Sequence, residues 1–327
     1  MKTYDVVGIC NALMDILIAV DDDTIKELEL TKGNMHLVDA DRQKMILERF
    51  NGTEQTVELG GSAMNAIRTL AGLGGKTAFA GMVAEDEFGD QITKRMADLG
   101  IVEKLGVSTT EPTGTCLILV TPDGERTMNT NLGASRLYTT SDVPTEEIKQ
   151  AKVLHFCGYQ WDTDGQKQAI KEAVKIAKEA GTKISFDVAD PFVVGRFQDE
   201  FKELISEGAD IVFSNREEAK LLYNSSPEEA AEKIAATGAI AVVKLGADGA
   251  IVQTPKEGLI KIDPVATKVV DTTAAGDMFA AGFLYGFVNE RSLEACGHLA
   301  AFMASDVISR MGATISDEAM EKAKTVR

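Results

Sequence analysis

Residues 271–277 read Asp-Thr-Thr-Ala-Ala-Gly-Asp and open directly onto an apolar stretch, Met-Phe-Ala-Ala-Gly-Phe-Leu-Tyr-Gly-Phe, at 278–287. The apolar stretch predicts a buried helix, and the small residues before it allow the backbone to approach a ligand closely. Because the first N–H groups of a helix have no internal partner, the segment predicts an anion site, most often one for phosphate. An aspartate beside a bound phosphate can accept a proton from an attacking hydroxyl, which makes Asp277 a candidate general base.

Strand-like and helical runs alternate along most of the remaining sequence. The predicted strands lie at 76–82, 152–157, 183–187, 209–213, 239–245 and 250–253, and the predicted helices lie at 86–99, 165–180, 275–288 and 292–309, with further helices from Asn215 and Pro227. Continuous apolar strands that alternate with helices are typical of a mainly parallel sheet covered on both faces. The sequence therefore predicts an α/β fold, organised as a single domain over residues 1–327, with ligands bound past the carboxyl ends of the strands.

Two regions, about 11–35 and 108–135, do not follow this alternation. Residues 11–20 continue strand-like after the first strand, and a Pro-Asp-Gly turn at 122–124 joins two further strand-like runs into a hairpin. These segments can pair as a small sheet over the strand ends, as a lid does, or the hairpin can be an ordinary sheet edge. The sequence leaves both interpretations open.

Composition excludes several classes of function. A formal net charge of −17 over 327 residues argues against nucleic acid as a partner, because binding to it needs a basic face. No apolar run approaches the ~18 residues that span a membrane, and the N-terminus does not resemble a signal peptide. The four cysteines and three histidines lie far apart, without the spacing of a metal or redox site. Free thiols of this kind predict a cytoplasmic protein.

Two further segments carry polar residues suited to a small hydroxylated ligand. Gly60 and Gly61 enter a predicted helix with Asn65 on its first turn, and an asparagine amide can both donate to and accept from sugar hydroxyls. Asn11 and Asp15 are four positions apart in extended chain and so share one face, where both can meet the same polar ligand. A solvated strand end is the alternative for that pair.

Two segments in the second half of the chain have ordinary structural interpretations when they are taken alone. Asn215 and Glu218 follow a predicted strand, where the asparagine can cap the next helix and the glutamate suits its first turn. Lys244 leads into a turn that contains Gly246 and Gly249 and then into another strand. By itself, that turn is a plain hairpin.

Taken in order, these motifs resemble the signatures of the ribokinase or PfkB family of carbohydrate and nucleoside kinases, whose second signature is Asp-Thr-x-Gly/Ala-Ala-Gly-Asp. The resemblance covers essentially the whole chain, including Arg-Met-Gly-Ala-Thr at 310–314. It implies a ribokinase-like three-layer α/β/α sandwich with a mainly parallel central sheet and a small β-sheet lid. It also implies transfer of the γ-phosphoryl group of ATP to a primary hydroxymethyl group, with Mg²⁺ and with K⁺ as an optional ion.

The resemblance assigns a role to each matching position. Asp277 is the general base, and the N–H groups of Ala274, Ala275 and Gly276 hold the transferred negative charge. The substrate is held by Asn11, Asp15, Gly60, Gly61 and Asn65. The nucleotide is held by Asn215, Lys244, Gly246 and Gly249. Glu218 supports Mg²⁺ through water, and Asp271 and Thr273 are the candidate ligands of the monovalent cation.

The segments 11–15, 111–116 and 129–134 resemble adenosine kinases, whereas 61–65 departs from the usual ribokinase pattern. We therefore expect a nucleoside such as adenosine or a sugar as the small-molecule substrate, and a monomer or a homodimer. Phe156, Tyr159 and Trp161 are candidate purine contacts, with core packing as the alternative. A non-catalytic nucleoside- or sugar-sensing protein is the rival reading. A nicotinamide-dependent dehydrogenase is disfavoured, because no G-x-G-x-x-G follows the first strand.

Overall fold

A computed structural model describes residues 2–325 of the protein. In that range none of the helices combines the length and the apolar character needed to cross a membrane. The strands are β1 (Tyr4–Ile9), β2 (Leu13–Ala19), β3 (Met35–Leu37), β4 (Thr56–Gly60), β5 (Thr77–Ala84), β6 (Val102–Ser108), β7 (Gly114–Val120), β8 (Arg126–Asn131), β9 (Ala151–Cys157), β10 (Lys183–Asp187), β11 (Ile211–Asn215), β12 (Ile240–Lys244), β13 (Ala250–Thr254) and β14 (Gly258–Ile262). The α-helices are α1 (Asp22–Glu27), α2 (Ala40–Glu48), α3 (Ser62–Gly72), α4 (Glu87–Asp98), α5 (Thr145–Lys149), α6 (Asp164–Ala180), α7 (Pro191–Gly208), α8 (Arg216–Tyr223), α9 (Pro227–Ala236), α10 (Ala275–Val288), α11 (Leu293–Val307) and α12 (Asp317–Thr325).

The larger sheet has nine strands in the order β14-β13-β12-β11-β10-β9-β1-β5-β6. The strands from β12 to β6 in this order pair in parallel, and only the β12-β13-β14 edge is antiparallel. The predicted α/β class and mainly parallel sheet are therefore confirmed. The predicted strand and helix positions also agree with the structure to within a few residues.

Helices cover both faces of this sheet. On one face, α3, α10 and α11 bury apolar side chains against the strands, and α10 is apolar around its whole circumference because it lies inside this layer. On the other face, α5 to α9 form a second apolar layer. Local signals fix where the helices begin; Thr163 starts α6 and Ser226 starts α9, each as the first residue of a capping box. The result is a three-layer arrangement.

A second sheet of five strands has the order β3-β8-β7-β2-β4. One of its faces packs against α1 and α2 through side chains such as Ile16, Ile46 and Leu117. The other face looks toward the carboxyl ends of the larger sheet. This sheet confirms the predicted fold of a large sheet with a smaller one, and it includes β4, which lies outside the segments 11–35 and 108–135.

Candidate active site

The order of strands in the larger sheet determines where a ligand can bind. β1 pairs with β5 on one side and with β9 on the other, so the later strands are added outward from β1 in opposite directions, and a crevice opens beyond the strand ends at this point. A cavity of about 880 Å³ occupies this crevice and continues under the second sheet. Of the residues predicted from sequence, it is lined by Asn11, Asp15, Gly61, Asn65, Asn215, Glu218, Lys244, Gly246, Gly249, Thr273, Ala274, Ala275, Gly276 and Asp277. Gly60 and Asp271 lie next to lining residues and do not line the cavity themselves.

The start of α10 has the backbone features expected of an anion site. Ala274 has a left-handed backbone, with φ of 55°, which turns the chain sharply into the helix. Among residues 2–325, the N–H groups of Ala274, Gly276 and Asp277 make no hydrogen bond, whereas that of Ala275 reaches the Thr272 carbonyl at 3.3 Å. Unpaired donors at the positive end of a helix dipole favour a bound anion.

Asp277 lies on the first turn of α10, with both carboxylate oxygens held by α3. Ser62 Oγ donates to Oδ1 at 2.7 Å, and Asn65 Nδ2 donates to Oδ2 at 2.9 Å. Burial raises the pKa of Asp277, and the two hydrogen bonds oppose that rise. No Lys, Arg or His in the described range forms a salt bridge with this carboxylate, so its remaining lone pairs are free to accept a proton.

Lys244 brings a mostly buried positive charge to the same site. Its Nζ lies 3.3 Å from Asp187 Oδ2 and only 3.0 Å from where a Cβ on Gly276 would stand. Burial alone would lower the pKa of Lys244, but the nearby carboxylates of Asp187, Glu218 and Asp277 raise it overall. Lys244 is therefore a cation aimed at the anion site. Asp187 was not predicted from the sequence, although a carboxylate at the carboxyl end of a predicted parallel strand is a signal for it.

Asn215 and Glu218 form a capping box at the start of α8. The Asn215 side chain accepts from the N–H groups of Glu217 and Glu218, while Glu218 accepts from the Asn215 N–H and side-chain amide at 2.7 and 2.5 Å. Burial raises the pKa of Glu218 to about 7, and Lys244 opposes that rise. The helix-cap interpretation of this motif is therefore correct, and it leaves the Glu218 carboxylate facing the cavity.

These carboxylates fit a magnesium ion that arrives with a nucleotide. The described part of the chain contains no group of three or more residues arranged to hold a resident metal. Mg²⁺ keeps several waters and is usually bound by only one or two protein carboxylates together with substrate phosphates. Glu218 and Asp187, both lining the cavity, can supply them.

Asp271 is fully buried and is already surrounded by protein donors. It accepts from the Thr273 N–H and hydroxyl and from the Gly312 N–H, and Arg126 Nε lies 3.2 Å away. These contacts tie the start of α10 to the C-terminal loop and to β8 of the second sheet. Because a guanidinium stands beside this carboxylate, the donor set does not fit a potassium ion here. Arg126 lines the cavity and was not predicted from the sequence.

Asn11 is held in one orientation by two glutamines. Its Oδ1 accepts from Gln160 Nε2 and Gln166 Nε2, both at 2.8 Å, and its Nδ2 makes only a long contact of 3.4 Å with the Tyr159 carbonyl. Asn11 therefore presents an N–H donor to the cavity. Neither glutamine was predicted, because both come from segments distant in sequence.

Asn65 presents a hydrogen-bond acceptor, whereas Asn11 presents a donor. Its Nδ2 is bound to Asp277, and its Oδ1 is buried with no partner. A buried polar oxygen without a partner is costly, so this atom is prepared for a donor that a ligand brings.

Gly60 and Gly61 allow two close approaches, that of β4 to Asp15 on β2 and that of the start of α3 to Asn11 after β1. A Cβ on Gly60 would overlap the Asp15 carboxylate, and one on Gly61 would overlap the Asn11 carbonyl. Gly61 also has φ of 97°, in the left-handed region that favours glycine. Both glycines therefore keep Asp15 and Asn11 in place.

Replacing Gly60 by alanine should displace Asp15, because the new methyl group cannot share its space. We expect the KM for the acceptor to rise at least ~10-fold while the KM for the nucleotide stays nearly constant. Steady-state kinetics with each substrate varied in turn would measure both. Gly195→Ala is a matched control, because a Cβ there meets nothing within 4 Å. Equal acceptor KM values for Gly60→Ala and Gly195→Ala would contradict this role.

The cavity-facing side of the second sheet is largely apolar, with Asp15, Arg126 and Thr130 as its polar members. Successive side chains of a strand alternate between its faces, so Asp15 shares a face with Leu13 and, through the strand register, with Cys116 and Ile118. Met128 lies across from Ile118 on the neighbouring strand. The apolar wall formed by these strands consists of Leu13, Met35, Leu37, Cys116, Ile118, Met128 and Leu132.

The three aromatic residues proposed as purine contacts divide into two groups. Tyr159 lines the cavity. Phe156 and Trp161 were wrong as ligand contacts, because both are buried in the core. Phe156 packs with Trp161 and Phe186, and Trp161 also packs with Phe186 and Phe201. Phe156 lies on a strand covered on both faces, where its side chain points into the layer of α6 and α7.

Asp15 should make the protein less stable as the pH rises. Burial raises its pKa to about 7, and Arg68 opposes the rise. The folded chain therefore binds this proton more tightly than the unfolded chain, and stability falls as the pH increases from about 4 to about 7. At about pH 8 the free energy of unfolding of Asp15→Asn should exceed that of the wild type by ~1–3 kcal/mol. At about pH 4 the two free energies should be nearly equal.

Urea unfolding at the two pH values measures this effect, with the exposed Asp98→Asn as control. The same Asp15→Asn variant should bind the acceptor poorly, so stability and activity should change in opposite directions. An unchanged pH dependence of stability in Asp15→Asn would show that Asp15 is not the titrating group.

Comparisons with known proteins agree with this geometry. The profile of the pfkB family carbohydrate kinases matches residues 36–320. An uncharacterized sugar kinase of Archaeoglobus fulgidus is 30% identical over 250 residues, covering 75% of this chain and 96% of that protein. The crystal structure of a probable sugar kinase from Rhizobium etli CFN 42 is 38% identical with a TM-score of 0.93, covering 99% of this chain and 98% of its own.

Adenosine kinase from Sinorhizobium meliloti is 37% identical with a TM-score of 0.92, and the match covers 99% of both chains. The family profile spans most of the sequence, and these structural neighbours share the arrangement of two sheets. The protein therefore belongs to the pfkB family of carbohydrate kinases.

Proposed function

We propose that this kinase transfers the γ-phosphoryl group of MgATP to the primary hydroxymethyl group of an adenosine-like nucleoside, with Asp277 as general base. The position of Asp277 is the observation that carries the proposal. Its carboxylate lies inside the cavity, beside unpaired N–H groups and without a cationic partner in the described range.

The transfer requires little covalent chemistry from the protein. Asp277 accepts the hydroxyl proton as the hydroxyl oxygen bonds to the γ-phosphorus, and the bond from that phosphorus to the β–γ bridging oxygen breaks to release ADP. The N–H groups of Ala274 and Gly276, and Lys244 beside them, stabilise the negative charge during transfer. Glu218 and Asp187 would hold the waters of the Mg²⁺ that accompanies ATP, and the ion would neutralise charge on the phosphates.

The apolar wall favours a nucleoside over a bare sugar. A flat purine can cover the partly or fully exposed side chains of Met35, Leu37 and Met128, whereas a sugar would leave them in contact with water. The ribose hydroxyls then have two acceptors, the Asp15 carboxylate and the unpaired Asn65 Oδ1. One of the similar structures is an adenosine kinase, that of Sinorhizobium meliloti, which supports the choice of a nucleoside.

The nucleotide is proposed to occupy the other half of the cavity. There Asn215, Gly246 and Gly249 face a loop at 264–269 and the small residues Ala301 and Ala304 of α11. Close backbone approach at such positions suits the flat base and the phosphates of ATP. The second sheet, including 11–35 and 108–135, is proposed to act as the lid that excludes water over the acceptor.

A ligand panel tests the proposal. Thermal shifts with adenosine, inosine, ribose and fructose would be followed by an ADP-release assay, with 5′-deoxyadenosine as the matched compound that lacks the reacting hydroxyl. We expect turnover with adenosine, and binding without turnover with 5′-deoxyadenosine. Turnover with sugars alone would favour the sugar kinase named among the relatives. Thermal shifts without any ADP release would favour a non-catalytic sensor and overturn the proposal.

A further inference from the structure

Ser62, the first residue of α3, makes a contact that no motif predicted. Its hydroxyl donates to Asp277 Oδ1 at 2.7 Å across the cavity floor, from a residue 215 positions away in the sequence. Asn65 follows three residues later on the same side of the helix and donates to the other oxygen. The left-handed Gly61 immediately before Ser62 sets the direction in which α3 begins.

Given the proposed function, we propose that Ser62 is a positioning residue for phosphoryl transfer, clamping the Asp277 carboxylate between α3 and α10 as an ionised base open to the acceptor hydroxyl. A carboxylate can accept about four hydrogen bonds, so two donors from α3 fix its plane and leave acceptor positions free. A carboxylate without this clamp would rotate about its side-chain bonds and lose the geometry that proton transfer needs.

The surroundings of Asp277 explain why the clamp is needed. Burial favours the neutral acid, and the carboxylates of Asp15 and Asp187 add to that preference. Lys244 favours the ionised form. The other titratable groups that face Asp277 from neighbouring elements are Arg68 on α3, Cys10 after β1 and Tyr159 after β9. Of the contacts that lower the pKa of Asp277 against the effect of burial, the hydrogen bond from the Ser62 hydroxyl is the largest.

The pH dependence of kcat/KM distinguishes positioning of the base from simple packing. Hydrogen bonds to charged groups are strong enough for Ser62→Ala to move the acid limb upward by about one pH unit. We expect a loss of about tenfold on the acid side, recovery on the alkaline side and an unchanged KM for MgATP. Ser62→Thr keeps a hydroxyl and should restore the wild-type profile.

Thr69→Ala is the matched control, because Thr69 lies on the same helix, reaches Met278 of α10 and does not touch Asp277. It should lower stability without moving the acid limb. The assay uses the acceptor that the wild type turns over fastest in the panel. A parallel titration of ¹³C-carboxyl-labelled aspartates by NMR follows Asp277 directly, assigned by difference from Asp277→Asn, and needs no acceptor.

The proposal is supported if Ser62→Ala raises the Asp277 pKa in the NMR titration and shifts the acid limb where turnover is measurable. It is overturned if the Ser62→Ala titration matches the wild type, or if Ser62→Ala loses activity equally at all pH values and Ser62→Thr fails to restore it. Failure of the proposed function is a separate result, since it would appear as a wild type without turnover or an Asp277→Asn variant that keeps its activity.

Discussion

Replacing Asp277 by asparagine should lower kcat by about 10³-fold while both KM values change little. An asparagine side chain has nearly the same shape, so the acceptor and MgATP should still bind. It cannot take the hydroxyl proton, so the attacking oxygen would have to lose that proton without a positioned base. The predicted change is therefore confined to the chemical step.

Single-turnover measurements with saturating substrates would isolate that step from product release. Calorimetric binding of the best acceptor to Asp277→Asn serves as the control, because retained affinity shows that the cavity is intact. Activity within tenfold of the wild type would remove Asp277 from the role of base, whatever acceptor is used.

Replacing Lys244 by methionine should lower activity nearly as much, because it removes a positive charge and not a base. The variant loses the cation beside Gly276, so kcat/KM for MgATP should fall by about 10²–10³-fold. It also leaves the mostly buried carboxylates of Asp187 and Glu218 without their positive neighbour, which should lower stability by about 3 kcal/mol. Urea unfolding and steady-state kinetics measure the two losses separately.

The double variant Lys244→Met with Asp187→Asn separates structure from catalysis. Neutralising Asp187 removes much of the unpaired charge, so a large part of the lost stability should return. The lost activity should not return, because the transferred phosphoryl group still lacks its cation. Recovery of both would show that Lys244 only compensates for its acidic neighbours.

The parts of the site that lie close together in sequence were the parts that sequence could predict. The anion site is built from consecutive residues at 274–277, and a helix start has the same free N–H groups in any fold. The same reasoning located Asn215 and Glu218, because a capping box is local. The α/β class followed from the alternation of apolar strands and helices, which depends on the chain's own periodicity.

The contacts that were missed depend on the order of strands in the sheets. Asp187 reaches Lys244 across β11, which lies between their two strands, and Arg126 reaches Asp271 from the other sheet. Gln166 contacts Asn11 only because α6 follows the strand beside β1. Neither composition nor spacing encodes these distances. Phe156 was misassigned for a related reason, since an aromatic residue at a strand end looks the same whether it faces a ligand or a helix.

The cavity is shared between two sheets that contribute different things to it. In the proposed mechanism, α10 and the strand ends of the larger sheet handle the phosphates, while the smaller sheet supplies the apolar wall. This separation makes the protein modular from an engineering standpoint. Redesigning the strands around Ile118 and Met128 would exchange one acceptor for another, and the machinery that handles the nucleotide would be inherited without alteration.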